Sequence, residues 1–376
     1  MAETILEQLK IIAGEDCVTT QAQQLDQYGQ DWTRFYQPNP MAVVFARDID
    51  QLAELVRFAN LHHIGLVPSG GRTGLSGGAC ATNGEVIVSF DNLNQIKNFS
   101  AADRSVTVQA GVVTAKLQQF ARDNDLYYPV DFASSGSSQI GGNIATNAGG
   151  IRVIRYGLTR DRVTGLKVIT GAGEVLSLNR GLIKNATGYD LRHLFIGSEG
   201  TLGFIVEATL QLEQTPVMSN VMLLAVPRME DCLKILSVYQ SQVTLNAFEF
   251  FSDNALTHVM TSSGLDQPFK DRANYYVLIE FEQPDQASAD AAADAFSRAL
   301  DHGWTTDAVL ATSDRQCQTL WQFRERISEA ISPHTPYKND VSVQVSLAAD
   351  FLGAINRAAA QAYPDVEIVW FGHIGD

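Results

Sequence analysis

The sequence predicts an α+β chain of two domains, one over residues 1–214 and one over 215–376, the second a sheet with helices on one face. Three observations predict it. Short apolar or alternating runs of strand length interleave with amphipathic helical windows along the chain. The composition changes around Gln214-Thr-Pro216, and 376 residues suit two domains better than one. Two glycine-rich loops, both in the first domain, hold eleven of the 29 glycines in the windows 70–84 and 136–150.

Residues 3–13 read as a short amphipathic helix. Met41-Ala-Val-Val-Phe-Ala46 reads as a buried strand, with Asp48 or Asp50 to cap a helix over 51–63. Gly65-Leu-Val-Pro68 is a short strand that feeds the first glycine loop, Pro68-Ser-Gly-Gly-Arg-Thr-Gly-Leu-Ser-Gly-Gly78. Strands follow at 86–90 and 106–110, then a helix at 114–124. The second glycine loop runs from Ala133 to Gly150 and contains Ile-Gly-Gly-Asn-Ile-Ala-Thr-Asn-Ala-Gly-Gly. Strands at 163–170, 174–178 and 203–212 complete the first domain; in the last, Phe204, Val206, Ala208, Leu210 and Leu212 alternate with mostly polar neighbours. In the second domain, strands near 219–226, 246–251, 275–282 and 341–346 alternate with helices near 229–242, 286–302, 314–332 and 348–362. The last residues form an apolar strand running into Gly372-His-Ile-Gly-Asp376. A domain seldom stops at such a turn, so the C-terminus reads as incomplete.

The net charge of −15 argues against a nucleic-acid partner, which needs a basic footprint. A small anionic substrate needs only a local cationic pocket. Cys17, Cys80, Cys232 and Cys317 are widely spaced and form no disulfide or zinc pattern, as in a reducing compartment. The N-terminus lacks a basic region followed by an apolar run, and no apolar run is long enough to span a bilayer. These features predict a cytoplasmic protein with no transmembrane segment.

Glycine allows positive φ and close approach of backbone to ligand, and successive free N–H groups form concave anion sites. Two such loops predict one large anionic cofactor. Neither contains Gly-x-Gly-x-x-Gly or Gly-Lys-Ser/Thr, so neither is a Rossmann fingerprint or a Walker A loop. Ile140, Ile144 and Ala145 punctuate the second loop as if it were packed, unlike a polar linker.

With Arg155-Tyr-Gly157 and Gly197-Ser-Glu-Gly-Thr-Leu-Gly203, these loops resemble the FAD-linked oxidase superfamily of the vanillyl-alcohol oxidase type. Lys184-Asn-Ala-Thr-Gly-Tyr-Asp-Leu191 and Phe195-Ile-Gly-Ser-Glu-Gly200 resemble, more narrowly, its D-2-hydroxyglutarate and D-lactate dehydrogenase branch. The match runs nearly continuously from about residue 40 to 376. It implies a PCMH-type FAD-binding domain of two subdomains followed by a substrate (cap) domain with an antiparallel sheet. It implies that Ser69, Gly70, Gly71, Arg72, Thr73, Gly74, Leu75 and Ser76 wrap the FAD pyrophosphate. Gly136, Ser137, Ile140, Gly141, Gly142, Asn143, Thr146, Asn147, Ala148 and Gly149 would line the pyrophosphate and flavin. Tyr156, Gly157, Gly200 and Ile205 would complete the site. Neither loop has a His, and Cys80 lies just past the first, so non-covalent FAD is expected.

On the helix 314–332, Leu320, Phe323, Ile327 and Ile331 form an apolar stripe; Arg324 sits inside it, with Ser328 four residues on. An inward guanidinium needs an anion: an internal Asp or Glu, or a substrate carboxylate. The resemblance implies the substrate, with Arg324 and Ser328 as contacts. It makes Lys338, in Tyr-Lys-x-Asp-Val-Ser, a second carboxylate anchor, oriented by Asn339 or Asp340. Two cationic anchors suit a dicarboxylate, D-2-hydroxyglutarate or D-malate, better than D-lactate. His373 matches Gly-His-x-Gly-Asp, which implies a catalytic His that ligates a divalent metal, zinc, whose other ligands are absent from this sequence.

The resulting expectation is oxidation of a D-2-hydroxy acid to the 2-oxo acid by hydride transfer to flavin N5. Reoxidation would use an electron-transfer flavoprotein or a quinone; a homodimer is compatible. Two alternatives stay open: an alcohol or sugar-acid oxidase on the same scaffold, and a flavin-binding electron-transfer subunit without substrate chemistry of its own.

Overall fold

The computed structural model describes residues 2–376 apart from Arg34 and Thr335. The chain divides into two compact units. One comprises the residues up to Gly150 together with Gly157–Thr215; the other comprises Ile151–Tyr156 and Pro216–Asp376. The six residues after the second glycine loop thus belong with the second unit, a departure from a division at 214/215 alone.

The first unit has two principal sheets. In the four-stranded one, the order is Val18–Thr19, Ala42–Phe45, Val86–Ser89 and Leu66–Ser69. The last three strands are parallel, and the first is antiparallel to its neighbour. The helix Ile49–Leu61 crosses over between two of these strands, and Asp48 caps it by accepting from Gln51 N. The second sheet is antiparallel, in the order Ile96–Ser100, Ser105–Gln109, Gly203–Gln211, Val163–Thr170, Val175–Leu178. A register shift between Ile205 and Glu207 interrupts the alternation of Gly203–Gln211: Phe204 and Val206 enter one core, which Val86, Val88 and Leu52 share, whereas Ile205, Ala208 and Leu210 enter another, so the expected single apolar side of this strand is split.

The second unit is one antiparallel sheet, in the order Asp307–Leu310, Ser219–Val226, Tyr275–Glu282, Leu245–Ser252, Phe371–His373. Helices cover both faces, not the one expected. Met222, Leu224, Val277, Ile279, Phe248 and Phe250 pack against the helices Met229–Gln242 and Gln286–Asp301. Val221, Leu223, Leu278, Ala247 and Phe251 pack against Asp253–Ser263 and Asp314–Glu325. The unbroken apolar run from Val221 to Val226 carries this signal, because a strand buried on both faces has no polar side to alternate with.

Two elements differ from expectation. The helix over 314–332 is two pieces, Asp314–Glu325 and Ile327–Ile331, joined at Arg326. The alternating segment 341–345 is not a strand: Val341 is 55% exposed and no sheet edge pairs with it. Its place at the sheet edge is taken by Phe371–His373.

Candidate functional site

Within the first unit the two glycine loops meet. A Cβ on Gly71 would lie 2.3 Å from the Ser137 carbonyl oxygen, so the loops pack backbone to backbone. Asp31, buried beneath the first loop, accepts from Gly77 N at 2.7 Å and from Thr33 N at 2.9 Å, while Trp32 N donates to Gly74 O. Among the described residues, no acceptor takes the amides of Gly70 through Ser76. The side chain of Ser69 is spent on Tyr28 O, and the Arg72 guanidinium folds back on Gly70 O at 2.7 Å and over the Tyr28 ring. Arg72 takes a positive φ of 56°.

The second loop contains the short helix Ile140–Ala145, whose two sides differ. Ile140, Gly141, Asn143 and Ile144 are buried. A Cβ on Gly141 would meet Ala110 Cβ at 2.6 Å, and Asn143 Nδ2 donates to Thr114 Oγ1. Gly136, Ser137, Gly142 and Thr146 face outward, and a Cβ on Gly136 or Gly142 would meet nothing within 4 Å. The end of the helix is tied down by other motif residues. Gly197 N and Glu199 N donate to Ile144 O and Ala145 O, Thr159 donates to Ala148 O, and Asn147 Oδ1 accepts from Arg160 N. Gly200 lies against Pro68 at the root of the first loop. Gly157, at φ 75°, packs on Asp161. Leu75 is exposed, as are Thr146 and Ser76, whereas Ile205 lies in the core; Thr73 and Gly149 are half-buried. Tyr156 lies with the second unit.

Unmet amides, glycines with open space beside them and no Lys in either loop fit an anionic dinucleotide held by backbone dipoles and small side chains. The fold therefore has a place for FAD. Gly74, Gly136, Gly142 and Thr146 are exposed and Gly70 and Gly71 half-buried, while Ile140, Gly141, Asn143 and Ile205 are buried behind them.

In the second unit the structure brings Arg324 and His373 together on a residue that sequence reasoning missed, Glu249. Its side chain has no exposed surface. Arg324 Nε donates to Glu249 Oε2 at 2.7 Å, and His373 Nδ1 is ion-paired with Oε1. Strand register produces the second contact, since His373 lies directly opposite Glu249. The Arg324 guanidinium also sits 5.0 Å from the Phe371 ring centroid. Burial opposes protonation of His373, but the Glu249 carboxylate outweighs it and holds the ring above its ordinary pKa. Burial lifts the Asp376 carboxyl above the usual range, partly opposed by His373. The internal carboxylate is thus the partner of Arg324 in this structure. Among the described residues no acceptor takes its Nη groups, so they remain available to a second anion.

Ser328 is half-buried beyond Arg326, and Lys338 is exposed in irregular chain, with no ion pair among the described residues. A sequence signal for Glu249 existed: Ala247-Phe-Glu-Phe-Phe251 sets one carboxylate inside an apolar strand, and a buried charge demands a partner. A metal fares differently. Among the described residues no group of three His, Cys, Asp or Glu side chains could hold an ion. His373 alone, with Nδ1 engaged, does not make a zinc centre.

Glu280 is the second buried carboxylate on this face. It accepts from Trp321 Nε1 at 3.0 Å, from Arg152 Nε and Nη2 at 3.3 Å and from Ser219 Oγ at 3.3 Å.

Comparison with known proteins agrees with this architecture. Residues 40–179 match the FAD binding domain model, and residues 215–376 match the model of the C-terminal domain of FAD linked oxidases. The chain belongs to the FAD-linked oxidases, in the group that includes the D-2-hydroxyglutarate dehydrogenases. It is 53% identical to the D-2-hydroxyglutarate dehydrogenase of Stutzerimonas stutzeri, over 99% of this chain and 80% of that protein. It is 34% identical to the mitochondrial enzyme of that name from Bos taurus, over 96% of this chain and 66% of that one. Solved structures of alkyldihydroxyacetonephosphate synthase and p-cresol methylhydroxylase share the fold, with TM-scores of 0.69 and 0.67. Their identities are 17% and 15%; the matches cover 85% and 86% of this chain and 62% and 68% of theirs. The fold is the PCMH type.

Proposed function

We propose that this protein is an FAD-dependent dehydrogenase that oxidises a D-2-hydroxy acid, D-2-hydroxyglutarate first, to the 2-oxo acid. The observation that carries the reading is the grouping of half-buried Arg324 and exposed His373 on the buried Glu249, on a chain whose relatives are named for this substrate. The Nη groups of Arg324 receive the substrate carboxylate in a bidentate grip. His373 Nε2, the ring atom turned away from Glu249, accepts the hydroxyl proton as C2 gives up hydride; the raised pKa suits a base. Lys338 and Ser328 serve the distal carboxylate. FAD, bound non-covalently by the two glycine loops, supplies the hydride acceptor.

An electron-transfer flavoprotein or a quinone takes the electrons onward in this reading, and a homodimer is compatible with it. No helix among the described residues is long and apolar enough to cross a membrane. All four cysteines are free, which supports a cytoplasmic setting.

The test is anaerobic titration of the FAD-loaded protein with D- and L-2-hydroxyglutarate, D-malate and D-lactate. Bleaching of the flavin band by the D-acids is expected, strongest with the dicarboxylates. Bleaching by the L-acids alone refutes the stereochemical reading, and rapid peroxide release in air would assign the chain to the oxidases.

A further inference from the structure

We propose that Tyr28, fixed by Asp91, is a positioning residue for the cofactor site: its ring is the platform that holds Arg72, the one Lys or Arg in either glycine loop, for the pyrophosphate of FAD. This inference rests on FAD as the cofactor of those loops and is independent of the substrate.

Arg72 stands among Gly70, Gly71 and Gly74 and takes a positive φ of 56°, a conformation that favours glycine. The chain keeps a long side chain where glycine would fit with less strain, which marks the guanidinium as used. Its Cζ lies 4.3 Å from the centroid of the Tyr28 ring, and Nη1 donates to Gly70 O at 2.7 Å. Among the described residues no acceptor takes Nε or Nη2. These two donors form one edge of the guanidinium, the edge that grips a phosphate bidentately.

Tyr28 closes the helix Ala22–Tyr28 and reaches the first loop by two routes. Its carbonyl accepts from Ser69 Oγ at 3.2 Å, at the root of the loop, and its ring carries Arg72. Phe45 holds that ring edge-on, with the centroids 5.1 Å apart. Asp91 holds its hydroxyl, accepting from Tyr28 Oη at 2.7 Å on Oδ2. The other oxygen, Oδ1, accepts from Gln139 Nε2 at 2.7 Å. Gln139 precedes the helix Ile140–Ala145 of the second loop, and a Cβ on Gly70 would come 3.3 Å from its Oε1. One carboxylate thus ties the platform under the first loop to the start of the second. Burial, then the bond to Asp91, push the Tyr28 phenol up to about 12, so it remains a donor at neutral pH. Both donors to Asp91 are neutral, so its negative charge stays behind a site for an anion. By Coulomb's law that charge opposes FAD; what Asp91 contributes is geometry.

The test is the FAD dissociation constant of the full chain, read by flavin fluorescence titration. Tyr28→Leu removes the platform and should weaken FAD on the order of tenfold. Tyr28→Phe keeps the ring but frees it from Asp91, and should weaken FAD about threefold. Asp91→Ala takes away a negative charge, yet should also weaken FAD; tighter binding would show that charge outweighs geometry and overturn the part given to Asp91. The same substitutions in an Arg72→Gln background decide the mechanism. If Tyr28 acts through Arg72, Tyr28→Leu should change the affinity there by less than about twofold. An equal factor in both backgrounds, or no change in the native one, makes Tyr28 structural only. Should Tyr28→Leu fail to fold, Tyr28→Phe decides by the same comparison. If the unaltered chain takes up no FAD, the cofactor assignment itself falls; if it binds FAD and the two backgrounds respond alike, the positioning role alone falls.

Discussion

At the scale of single residues, the deciding feature is where a side chain's second partner comes from. Arg324 stands in an apolar stripe, so it needs an anion, and the sequence leaves two: an internal acid or a substrate. The structure shows that the internal acid is there and uses only Nε. Arg324→Ala would leave the buried Glu249 carboxylate with His373 as its remaining ion-pair partner among the described residues, and a loss of about 1–3 kcal/mol is expected in urea unfolding. Arg324→Lys keeps the charge without the fork; it should lose far less stability while KM rises. A global fall in stability from Ala with no change in KM from Lys would make the pair purely structural. Asp231 tests the electrostatics elsewhere. Burial raises its pKa, but Arg228 and Lys234 outweigh burial and hold it below the ordinary carboxylate range. A depressed carboxylate stabilises above its unfolded pKa of about 4 and loses that contribution as pH falls through its folded pKa. Asp231→Asn should therefore cost on the order of 1 kcal/mol at pH 7, at a helix N-terminus. The thermal midpoints of variant and wild type should draw together as pH falls below the unfolded carboxylate pKa of about 4.

At the scale of elements, the glycines of the second loop separate into two kinds. Gly141→Ala places a methyl against Ala110 and should cost about 1–3 kcal/mol with or without cofactor. Gly142→Ala, one residue on, points into open space and replaces glycine in a helix, so the apoprotein should be unchanged or up to about 1 kcal/mol more stable. If that space belongs to FAD, Gly142→Ala should weaken flavin binding, read by fluorescence titration. Equal flavin affinity in the Gly142 variant would move the cofactor elsewhere. Both glycines looked alike in the sequence, because composition reports backbone freedom and not which side of a helix faces the core. Most strands and helices were legible from periodicity; along Gly203–Gln211 the strand was legible, but not the register shift that sends Phe204 and Val206 to one core and Ala208 and Leu210 to another. Residues 341–345 alternate as well as any of them, yet 341–344 lie exposed and unpaired and Val345 begins a helical turn. A strand pattern states which faces would suit a sheet; it does not supply the neighbouring edge.

At the scale of the whole molecule, the chain leaves the first unit at Gly150, adds Ile151–Tyr156 to the second, and returns at Gly157. Arg152 and Arg155 in that excursion pair with Glu280 and Glu282, and Ile154 packs on the core of the sheet. A fragment of residues 216–376 would lack Arg152 and leave Glu280 short of its cation. It should unfold at lower urea than the same unit in the full chain, by about 3–5 kcal/mol. Arg152→Ala in the full chain should reproduce much of that loss. Independent folding of the fragment at full stability would show that the excursion adds nothing.

By itself the sequence determined the class of cofactor, because loops rich in glycine, small hydroxyls and amides, without Lys and without the Rossmann or Walker spacing, carry their chemistry locally. It determined the α+β alternation and placed Arg324 and His373 as chemically loaded positions. Only the tertiary structure decided what those two residues do to each other. Glu249 lies 75 positions before Arg324 and 124 before His373, and the three meet through strand register and the packing of one helix on one sheet face. Burial on both faces of that sheet and the passage of residues 151–156 into the second unit were decided in the same way. Each depends on which distant surfaces meet, and local patterning is silent about that.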